Sequence, residues 1–345
     1  MTELLGVVIL SFFITGILIV PYINILYRLK LQRQAQKTLD AFNVPTPIFD
    51  RLHAWKKGTP VGGGFIVIMV VFFLSISQLL VKQSQEELIT SLYPFWREVV
   101  VLFLTFASFG LLGLYDDLIK TFGFSRTNFW GLRLRHKLFL QIILAGTIAW
   151  LLYSWLGIQI INIPGFGPIQ LGIWYIPFAT FVIVAFANAF NITDGLDGLA
   201  AGLLVICLFV FLVLSNTVLD SMLSIFIGSW IGAMIAFLYF NVYPARIWMG
   251  DVGAMSFGAT LGLLGLLLGK VIALAVIGGV FVVEVLSSLL QLLAKRFLKR
   301  KIFVVSPLHL FFQYKGWEEP KIVMRFWLAG VMFAIFGLWL ALLKG

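Results

Sequence analysis

Ten apolar stretches constrain the fold of this chain more than any other feature of its sequence. A helix that crosses the ~30 Å hydrocarbon core of a bilayer needs ~20 residues, and each stretch is about that long. The 345 residues are 61% hydrophobic and only 12% charged, far outside the range of soluble globular proteins. The sequence therefore predicts an all-α polytopic membrane protein with about ten transmembrane helices. The predicted spans are residues 4–26, 61–81, 98–115, 137–156, 172–190, 198–216, 221–240, 252–269, 271–293 and 323–343.

The positions of the 25 Lys and Arg residues predict how these spans are oriented. Most of them lie between spans one and two, three and four, or nine and ten, and basic loops favour the cytoplasmic side of a membrane. Both termini are therefore expected outside. We expect a multi-pass protein of the cytoplasmic (inner) membrane with a single domain over residues 1–345. Because the basic residues follow the membrane topology, they do not indicate nucleic-acid binding.

Polar residues gather on the predicted cytoplasmic face. The segment NAFNITDGLDGLA (188–200) joins spans five and six, Asp116 and Asp117 end span three, Asp251 begins span eight, and His309 precedes span ten. Ionisable residues in membrane helices are costly and mostly functional. A transporter would place them near the bilayer midplane, on interrupted helices. Their position at helix ends and loops favours an enzyme that takes a soluble substrate from the cytoplasm.

Several of these residues also have a purely structural interpretation. The amides and carboxylates of segment 188–200 could cap helices or form Asx turns, although one cap does not need four polar groups. Asp251 could cap its own helix, the acidic pair of span three could be a solvated helix end, and Lys56 and Lys57 could mark a basic flank. Glu284 falls inside span nine, where an unpaired carboxylate is costly, so it is paired with a cation, protonated or at the border of a site.

Together, the aspartates, lysines and glycine-rich helix starts on one face describe a site for an anionic, phosphorylated substrate and a hard cation. Carboxylate oxygens suit Mg²⁺, which shares its coordination sphere with waters and substrate phosphates. A zinc site is not indicated, because the chain has three histidines and a single cysteine, which lies in mid-span. The sequence has no P-loop, so ATP hydrolysis by that route is not indicated.

Motifs in a fixed order cover nearly the whole chain. They are KKGTPVGGG (56–64), LLGLYDDLIK (111–120), KLFLQ (137–141), NAFNITDGLDGLA (188–200), FNVYPARIWMGDVGA (240–254), VVEVLSSLLQ (282–291) and SPLHLFFQYKGWEEPKIVMRFW (306–327). In this order they resemble the polyprenyl-phosphate N-acetylhexosamine-1-phosphate transferase family, which shares the Asn-x-x-Asn-x-x-Asp-Gly-Leu-Asp-Gly core in related forms. The last motif is similar to the branch of that family that acts on muramoyl-pentapeptide.

Two motifs depart from the family's pattern. The family usually has three consecutive histidines after Pro-Leu or Pro-Ile, whereas here His309 is followed by Leu310 and Phe311. The family's TPTMGG reads TPVGGG, with Val61 and Gly62 in place of Thr and Met. In the family these histidines are associated with substrate binding, so their loss bears on recognition of the sugar or pyrophosphate more than on the type of reaction.

The resemblance implies transfer of phospho-MurNAc-pentapeptide from UDP-MurNAc-pentapeptide to undecaprenyl phosphate, giving lipid I and UMP in peptidoglycan (cell wall) biosynthesis. Mg²⁺ and lysines would offset the repulsion between two polyanionic substrates, and in-line positioning would supply most of the remaining catalysis. The second pKa of a phosphate monoester is ~6, so the acceptor is largely dianionic at neutral pH and needs a base less than a hydroxyl would. A covalent aspartyl intermediate remains a second possible route.

The resemblance also gives expected roles to individual residues. The expected catalytic residues are Asp116, Asp117, Asp197 and His309. The expected substrate-binding residues are Lys56, Lys57, Thr59, Lys120, Lys137, Asn188, Asn191, Asn241, Gly250 and Gln291. The expected Mg²⁺ ligands are Asp194 and Asp251. Phe190 or another loop aromatic is expected to stack on the uracil base, and the polyprenyl tail is expected in a groove near a bent span nine, with Glu284 and Gln291 at its polar end.

Two other functions stay open on the sequence alone. A related enzyme could transfer GlcNAc-1-phosphate or another UDP-sugar phosphate to a polyprenyl phosphate; the last motif argues against this enzyme, and the altered histidines keep it open. A transporter or lipid-binding membrane protein would not need all the aspartates together. The remaining expected partners are the lipid bilayer and, from the resemblance, a second copy of the chain in a homodimer.

Overall fold

The computed structural model describes residues 2–32, 46–52, 56–84, 93–122 and 134–343, which are mostly helical. Nine helices of this described part are long and apolar enough to cross a membrane. They are α1 (Thr2–Arg28), α3 (Gly63–Ser84), α4 (Phe95–Phe122), α5 (Leu134–Ser154), α6 (Tyr175–Thr193), α7 (Leu199–Thr217), α8 (Ser221–Asn241), α9 (Gly250–Leu267) and α13 (Glu319–Leu342). The shorter elements are α2 (Pro47–Leu52), β1 (Ile160–Ile163), β2 (Gly167–Gln170), a 3₁₀ turn (Gly172–Trp174), α10 (Val271–Ile277), α11 (Gly279–Leu293), a π-helical segment (Ala294–Leu298) and α12 (Leu308–Tyr314).

Span nine is bent, as the sequence predicted. The residues expected to form it are divided between α10 and α11, whose axes meet at an angle of 81°. Two adjacent glycines, Gly278 and Gly279, lie at the break, and sharp kinks concentrate at pairs of small residues. Each of the other nine predicted spans corresponds to one long helix.

The third span continues further than the sequence predicted. Its apolar stretch was expected to end at residue 115, but α4 extends to Phe122. Asp116 and Asp117 therefore lie inside the helix, followed by Lys120 one turn after Asp116. Apolarity alone underestimates this helix, because its last two turns make an ion pair and main-chain hydrogen bonds with residues of other segments.

The centre of the helix bundle is formed by α8 and α9, in which most residues are buried. Phe226 and Trp230 of α8 pack with Phe106 of α4 and Phe257 of α9, with ring centroids 5.2–5.9 Å apart. Such aromatic clusters bury a large apolar area in defined geometries. Because α9 is the most enclosed helix, the residues at its N-terminal end are held in place by the core.

The two ends of the bundle differ in character. At one end, β1 and β2 pair as a short antiparallel hairpin, with Ile160 opposite Gln170. At the other end, which we call the site end, lie the first residues of α3, α5 and α9 and the last residues of α4 and α6. Most of the polar residues expected to be functional lie at this second end.

Candidate active site

Two aspartates and two lysines form an ion-paired cluster at the site end. Asp251 Oδ2 accepts hydrogen bonds from Lys120 Nζ at 2.8 Å and from Lys137 Nζ. Asp116 Oδ2 lies 3.1 Å and 3.0 Å from the same two nitrogens. Asp116 is almost fully buried, whereas the side chains of Lys120, Lys137 and Asp251 are 19%, 12% and 15% exposed. The cluster therefore has a buried side and a side that a soluble ligand can reach.

Asp117 holds the beginning of α9. Its Oδ1 accepts a hydrogen bond from Asp251 N at 3.1 Å, and its Oδ2 accepts one from Val252 N at 3.0 Å. The first N–H groups of a helix have no partner within the helix, and a carboxylate there is also favoured by the helix dipole. Asp251 does not cap its own helix, since α9 has no side-chain cap of its own. Gly250, whose φ is +76°, begins α9 beside this carboxylate.

A glycine of α4 permits the close contact between α4 and α9. A Cβ at Gly113 would overlap the main-chain carbonyl of Asp251. Gly113 lies one turn before Asp117 on the same helix, so the close approach and the two capping hydrogen bonds occur side by side. Together they fix where the carboxylate of Asp251 projects.

Lys56, Asp197 and Glu319 form a second, fully buried ion-paired group. Lys56 Nζ donates to Asp197 Oδ1 at 2.7 Å and to Glu319 Oε1 at 2.6 Å. Asp197 N also donates to Glu319 Oε1 at 2.6 Å, and Asp197 Oδ2 accepts from Ala245 N at 3.0 Å. Both carboxylate oxygens of Asp197 are thus engaged. This arrangement favours a positioning role for Asp197, where the sequence suggested a catalytic one.

Asp194 follows α6 and lies within electrostatic reach of both groups, since Asp251, Asp197, Lys56 and Asp117 all act on its ionisation. Burial, reinforced by the nearby carboxylates of Asp251 and Asp197, raises the pKa of Asp194 to about 7. Its side chain makes no hydrogen bond or ion pair with any other residue that the structure describes. Asp194 is therefore the carboxylate of the site end that is most available to a ligand.

His309 is buried beside the segment that carries Asp194. Its main-chain N and its ring Nδ1 each lie 3.0 Å from a different carboxylate oxygen of Glu284. A Cβ at Gly195 would overlap the other ring nitrogen, Nε2, so the imidazole packs directly on the loop between α6 and α7. Glu284 is therefore hydrogen-bonded to the one histidine that the last motif retains.

Three of the predicted substrate-binding amides are tied to neighbouring segments. Asn188 Nδ2 donates to Gln141 Oε1 and to Val184 O, both at 2.8 Å. Asn241 Nδ2 donates to Ile247 O, and its Oδ1 accepts from Gly198 N. Gln291 binds the main chain of residues 302 and 303 through both ends of its amide. These contacts support the loops around the site and leave each amide few atoms for a substrate.

The remaining residues predicted to contact the substrate are less enclosed, except Phe190. Thr59 and Asn191 are half-buried and Lys57 is exposed, so their side chains are accessible at the site end. Phe190, suggested to stack on a base, is fully buried against Phe281 at a centroid distance of 5.1 Å and is not available for stacking. That suggestion is wrong because Phe190 points into the core from the last turn of α6.

Sequence reasoning missed Glu319, which joins Lys56 to Asp197. Glu319 stands in the first turn of α13, where an acidic residue is ordinarily explained by the helix dipole. The available signal was its position in the last motif, directly before a proline that begins the helix. Trp248 was also missed. Its ring centroid lies 5.4 Å from Lys56 Nζ, and a partner so distant in sequence leaves no local signal.

The donor groups of the site end are oxygens, which suit a hard cation, but they do not form a closed cage. Among the described residues, no group of three or more His, Cys, Asp or Glu side chains is arranged to hold a metal ion. Asp194 and Asp251 are the two carboxylates that combine proximity with access. Two carboxylates are the share that Mg²⁺ typically takes from a protein when substrate phosphates complete its shell.

Comparison with known proteins gives consistent matches along the chain. Residues 99–269 match the family described as glycosyl transferase family 4. Three similar proteins are each named phospho-N-acetylmuramoyl-pentapeptide-transferase. The one from Thermodesulfovibrio yellowstonii is 36% identical over 349 residues, covering 95% of this chain and 90% of its own length. Those from Oceanobacillus iheyensis and Desulfotalea psychrophila are 33% and 37% identical, covering 99% and 83% of this chain and 98% and 80% of their own lengths.

Proposed function

Because this chain belongs to the phospho-N-acetylmuramoyl-pentapeptide-transferase family, we propose that it transfers phospho-MurNAc-pentapeptide from UDP-MurNAc-pentapeptide to undecaprenyl phosphate. The products are lipid I and UMP, and the reaction belongs to peptidoglycan biosynthesis. One observation carries the proposal: two lysines are shared between Asp116 and Asp251, and Asp194, whose carboxylate pairs with no residue that the structure describes, lies within electrostatic reach of Asp251.

The charges of the site suit a reaction between two polyanions. Asp116 and Asp251 contact the ammonium groups of Lys120 and Lys137, and Asp117 lies within electrostatic reach of Lys120. Asp194 adds a further carboxylate within electrostatic reach of Asp251. The excess negative charge attracts a divalent cation. When a substrate binds, the lysines can donate to a phosphate oxygen in place of an aspartate oxygen. Preorganised cations of this kind stabilise the charge that develops on a transferring phosphoryl group.

Mg²⁺ is the cation that this donor set fits, with Asp194 and Asp251 as its protein ligands. Asp194, which pairs with no described side chain, and the partly exposed carboxylate of Asp251 support this assignment. When bound, Mg²⁺ would neutralise charge on the pyrophosphate of the donor. Lys120 and Lys137 would bind the same pyrophosphate, because their flexible side chains can reach either carboxylate or phosphate.

Asp117 acts as an orienting residue in this proposal. Both of its oxygens accept main-chain hydrogen bonds from α9, which leaves it poorly placed to take a proton or attack phosphorus. The acceptor phosphate needs little help from a base, since its second pKa is ~6 and it is largely dianionic at neutral pH. We therefore favour direct in-line attack by the lipid phosphate, with Asp116 and Asp117 fixing the cationic groups around it.

The same reaction assigns an orientation to the molecule. A UDP-linked donor is water-soluble and cytoplasmic, so the site end would face the cytoplasm, in agreement with the basic loops. The polyprenyl chain would remain in the lipid beside α11. Glu284 and Gln291, expected at the polar end of its groove, are buried and hydrogen-bonded within the protein, so they do not face the lipid. Mg²⁺ dependence, the inner-membrane location and a homodimer remain predictions of this proposal.

The decisive experiment measures UMP release by the purified chain with undecaprenyl phosphate and Mg²⁺, offering UDP-MurNAc-pentapeptide and UDP-GlcNAc in parallel. We expect turnover with the muramoyl donor and its loss in Asp251→Asn. Asp220→Asn is the matched control, since it removes a buried carboxylate between α7 and α8, outside the site. Turnover with UDP-GlcNAc alone would overturn the donor assignment, and full activity of Asp251→Asn would overturn the site.

A further inference from the structure

An exposed apolar stripe runs along α11 and into the π-helical segment that continues it. Its members follow one another at intervals of three and four residues, so they lie on one face of the helix. They are Val283, Leu286, Leu290, Leu293 and Phe297. Since α10 and α11 together are apolar enough to span a membrane, this face lies against lipid.

A cluster of cations lies where this stripe ends. Residues 295–301 read KRFLKRK, and no acidic residue occurs between Glu284 and Glu318. The cluster has four fully exposed members, which are Arg296, Lys299, Arg300 and Lys301. None of these four makes a hydrogen bond or an ion pair with a residue that the structure describes. Within the described part of the chain, their positive charge therefore has no counterion.

The cations after the π-helical segment are held in a defined turn. Lys299 ends the helix in the left-handed conformation, with φ +49°. The chain then folds back beside α11, where the side-chain amide of Gln291 binds the main chain of residues 302 and 303 through three hydrogen bonds of 2.7–3.1 Å. Arg300 and Lys301 thus lie at the tip of a turn that Gln291 fixes to the helix.

Apolar side chains share this exposed surface with the cations. Phe297, Leu298, Ile302 and Val304 are each at least 50% exposed. The guanidinium of Arg296 lies 5.7 Å from the ring centroid of Phe297. Apolar groups of this kind enter the acyl region of a bilayer, while the long side chains of Lys and Arg reach the headgroups. The mixture is therefore typical of a surface at the membrane interface.

We propose that residues 296–304 bind the anionic headgroups of bilayer phospholipids, such as phosphatidylglycerol. A phosphodiester carries one negative charge and accepts hydrogen bonds from Lys and Arg. Phosphatidylcholine carries a compensating positive charge, so its headgroup loses most of this attraction. Bound anionic lipid holds the end of the broken span at the level of the headgroups. This inference does not depend on the reaction proposed above.

Native mass spectrometry of the full-length chain in detergent, titrated in parallel with phosphatidylglycerol and phosphatidylcholine, measures this binding. We expect clear preference for phosphatidylglycerol. The triple variant Lys299→Gln, Arg300→Gln, Lys301→Gln should lower its affinity about 100-fold, at about fivefold for each cation near an anionic lipid surface. Equal affinity for the two lipids in the unmodified chain, or full affinity for phosphatidylglycerol in the triple variant, would overturn the proposal.

Two control variants separate local charge from side-chain shape and net charge. Lys299→Arg, Arg300→Lys, Lys301→Arg keeps every charge of the turn and should retain the affinity for phosphatidylglycerol. Arg28→Gln with Lys30→Gln removes two exposed cations at the end of α1 and should also retain it. A loss in either control as large as that in the triple variant would overturn the assignment to this turn.

Competition identifies the ligand that occupies the turn. Excess inorganic phosphate should not displace phosphatidylglycerol, because it has no acyl chains to pack on the exposed apolar side chains. Displacement by phosphate would show a site for soluble anions, and preferential retention of undecaprenyl phosphate would identify the acceptor as the occupant; either result would overturn the proposal. These measurements need no turnover, so they stay decisive even if the proposed reaction fails for every donor.

Discussion

Asp117 and Asp251 are 134 residues apart in sequence, yet the carboxylate of the first caps the helix on which the second lies. The cap orients Asp251 toward Lys120 and Lys137. Two acidic residues that look equivalent in the sequence thus have different tasks: Asp117 is a fixed support, and Asp251 is the group presented to the ligand.

Removal of this support should lower both stability and activity. Asp117→Ala leaves the N–H groups of Asp251 and Val252 without a partner, at a cost of about 1–3 kcal/mol for a buried unpaired donor. Asp117→Asn keeps one acceptor oxygen and should lose less stability than Asp117→Ala. Thermal unfolding in detergent and UMP release measure the two effects. Thr147→Ala, on the exposed side of α5, is the control, and a Tm of Asp117→Ala equal to that of this control would contradict the capping role.

Lys137→Met should weaken donor binding and turnover together. It removes an ammonium that is shared by Asp116 and Asp251, and a charged hydrogen bond to a phosphate contributes about 1.5–3 kcal/mol, or roughly 10- to 100-fold in kcat/KM. Steady-state kinetics with varied donor concentration measures this loss. Lys82→Met removes an equal charge near the N-terminal Glu3 and should not change kcat/KM. Equal kinetics for the two variants would exclude Lys137 from the site.

Chelation of divalent cations should abolish UMP release, and added Mg²⁺ should restore it. Asp194→Asn should raise the Mg²⁺ concentration needed for half-maximal activity by about tenfold or more, since changes even in groups around a metal ligand reach that scale. The Tm should not fall, because the Asp194 side chain makes no hydrogen bond or ion pair with described residues. It should rise above that of the unmodified chain as pH increases through about 7, because the substitution removes a carboxylate whose pKa is raised by burial and by nearby carboxylates. Activity that persists in excess chelator would refute the metal assignment.

Lys56→Met should be strongly destabilising. It leaves the buried carboxylates of Asp197 and Glu319 without their shared cation, and loss of one member of a buried ion pair costs about 3–5 kcal/mol. Glu319→Gln should be milder, because its amide oxygen can still accept from Asp197 N. Unfolding in detergent, monitored by circular dichroism, shows which of the two variants is less stable. A greater loss in Glu319→Gln would show that the carboxylate, and not the lysine, dominates this group.

Asp220 should make stability depend on pH. Burial raises the pKa of this residue, which caps the N-terminus of α8 and lies beside Glu98. A raised pKa in the folded state means that the folded state holds the proton more tightly than the unfolded state. The contribution of Asp220 to the free energy of unfolding is therefore largest below the unfolded-state pKa of about 3.9, and it is lost as pH rises through the folded-state pKa. Asp220→Asn keeps the acceptor for Leu223 N and removes the contribution of Asp220 to the pH dependence. Its Tm advantage over the unmodified chain should grow with pH, and a constant difference would contradict this account.

The helical architecture follows from the sequence because apolar length is a local property. The nine long helices and the bend of span nine match the expectation, whereas the length of α4 does not, since its last turns depend on partners in α5 and α9. The site residues were identified by type, but their roles depend on tertiary contacts. Asp197 is enclosed by Lys56 and Ala245, and Phe190 packs in the core, and neither contact has a local signal. The catalytic, binding and metal roles stay predictions.

The 81° break between α10 and α11 has a consequence for how the acceptor is supplied. Removal of a lipid chain from the bilayer costs about 0.8 kcal/mol per methylene group, so a polyprenyl chain could not be lifted into an enclosed pocket at any useful rate. If the chain stays in the lipid beside this broken helix, as the proposed reaction requires, only the phosphate has to reach the site. The acceptor would then arrive by diffusion in two dimensions, and its surface density in the membrane, not its concentration in water, would govern turnover.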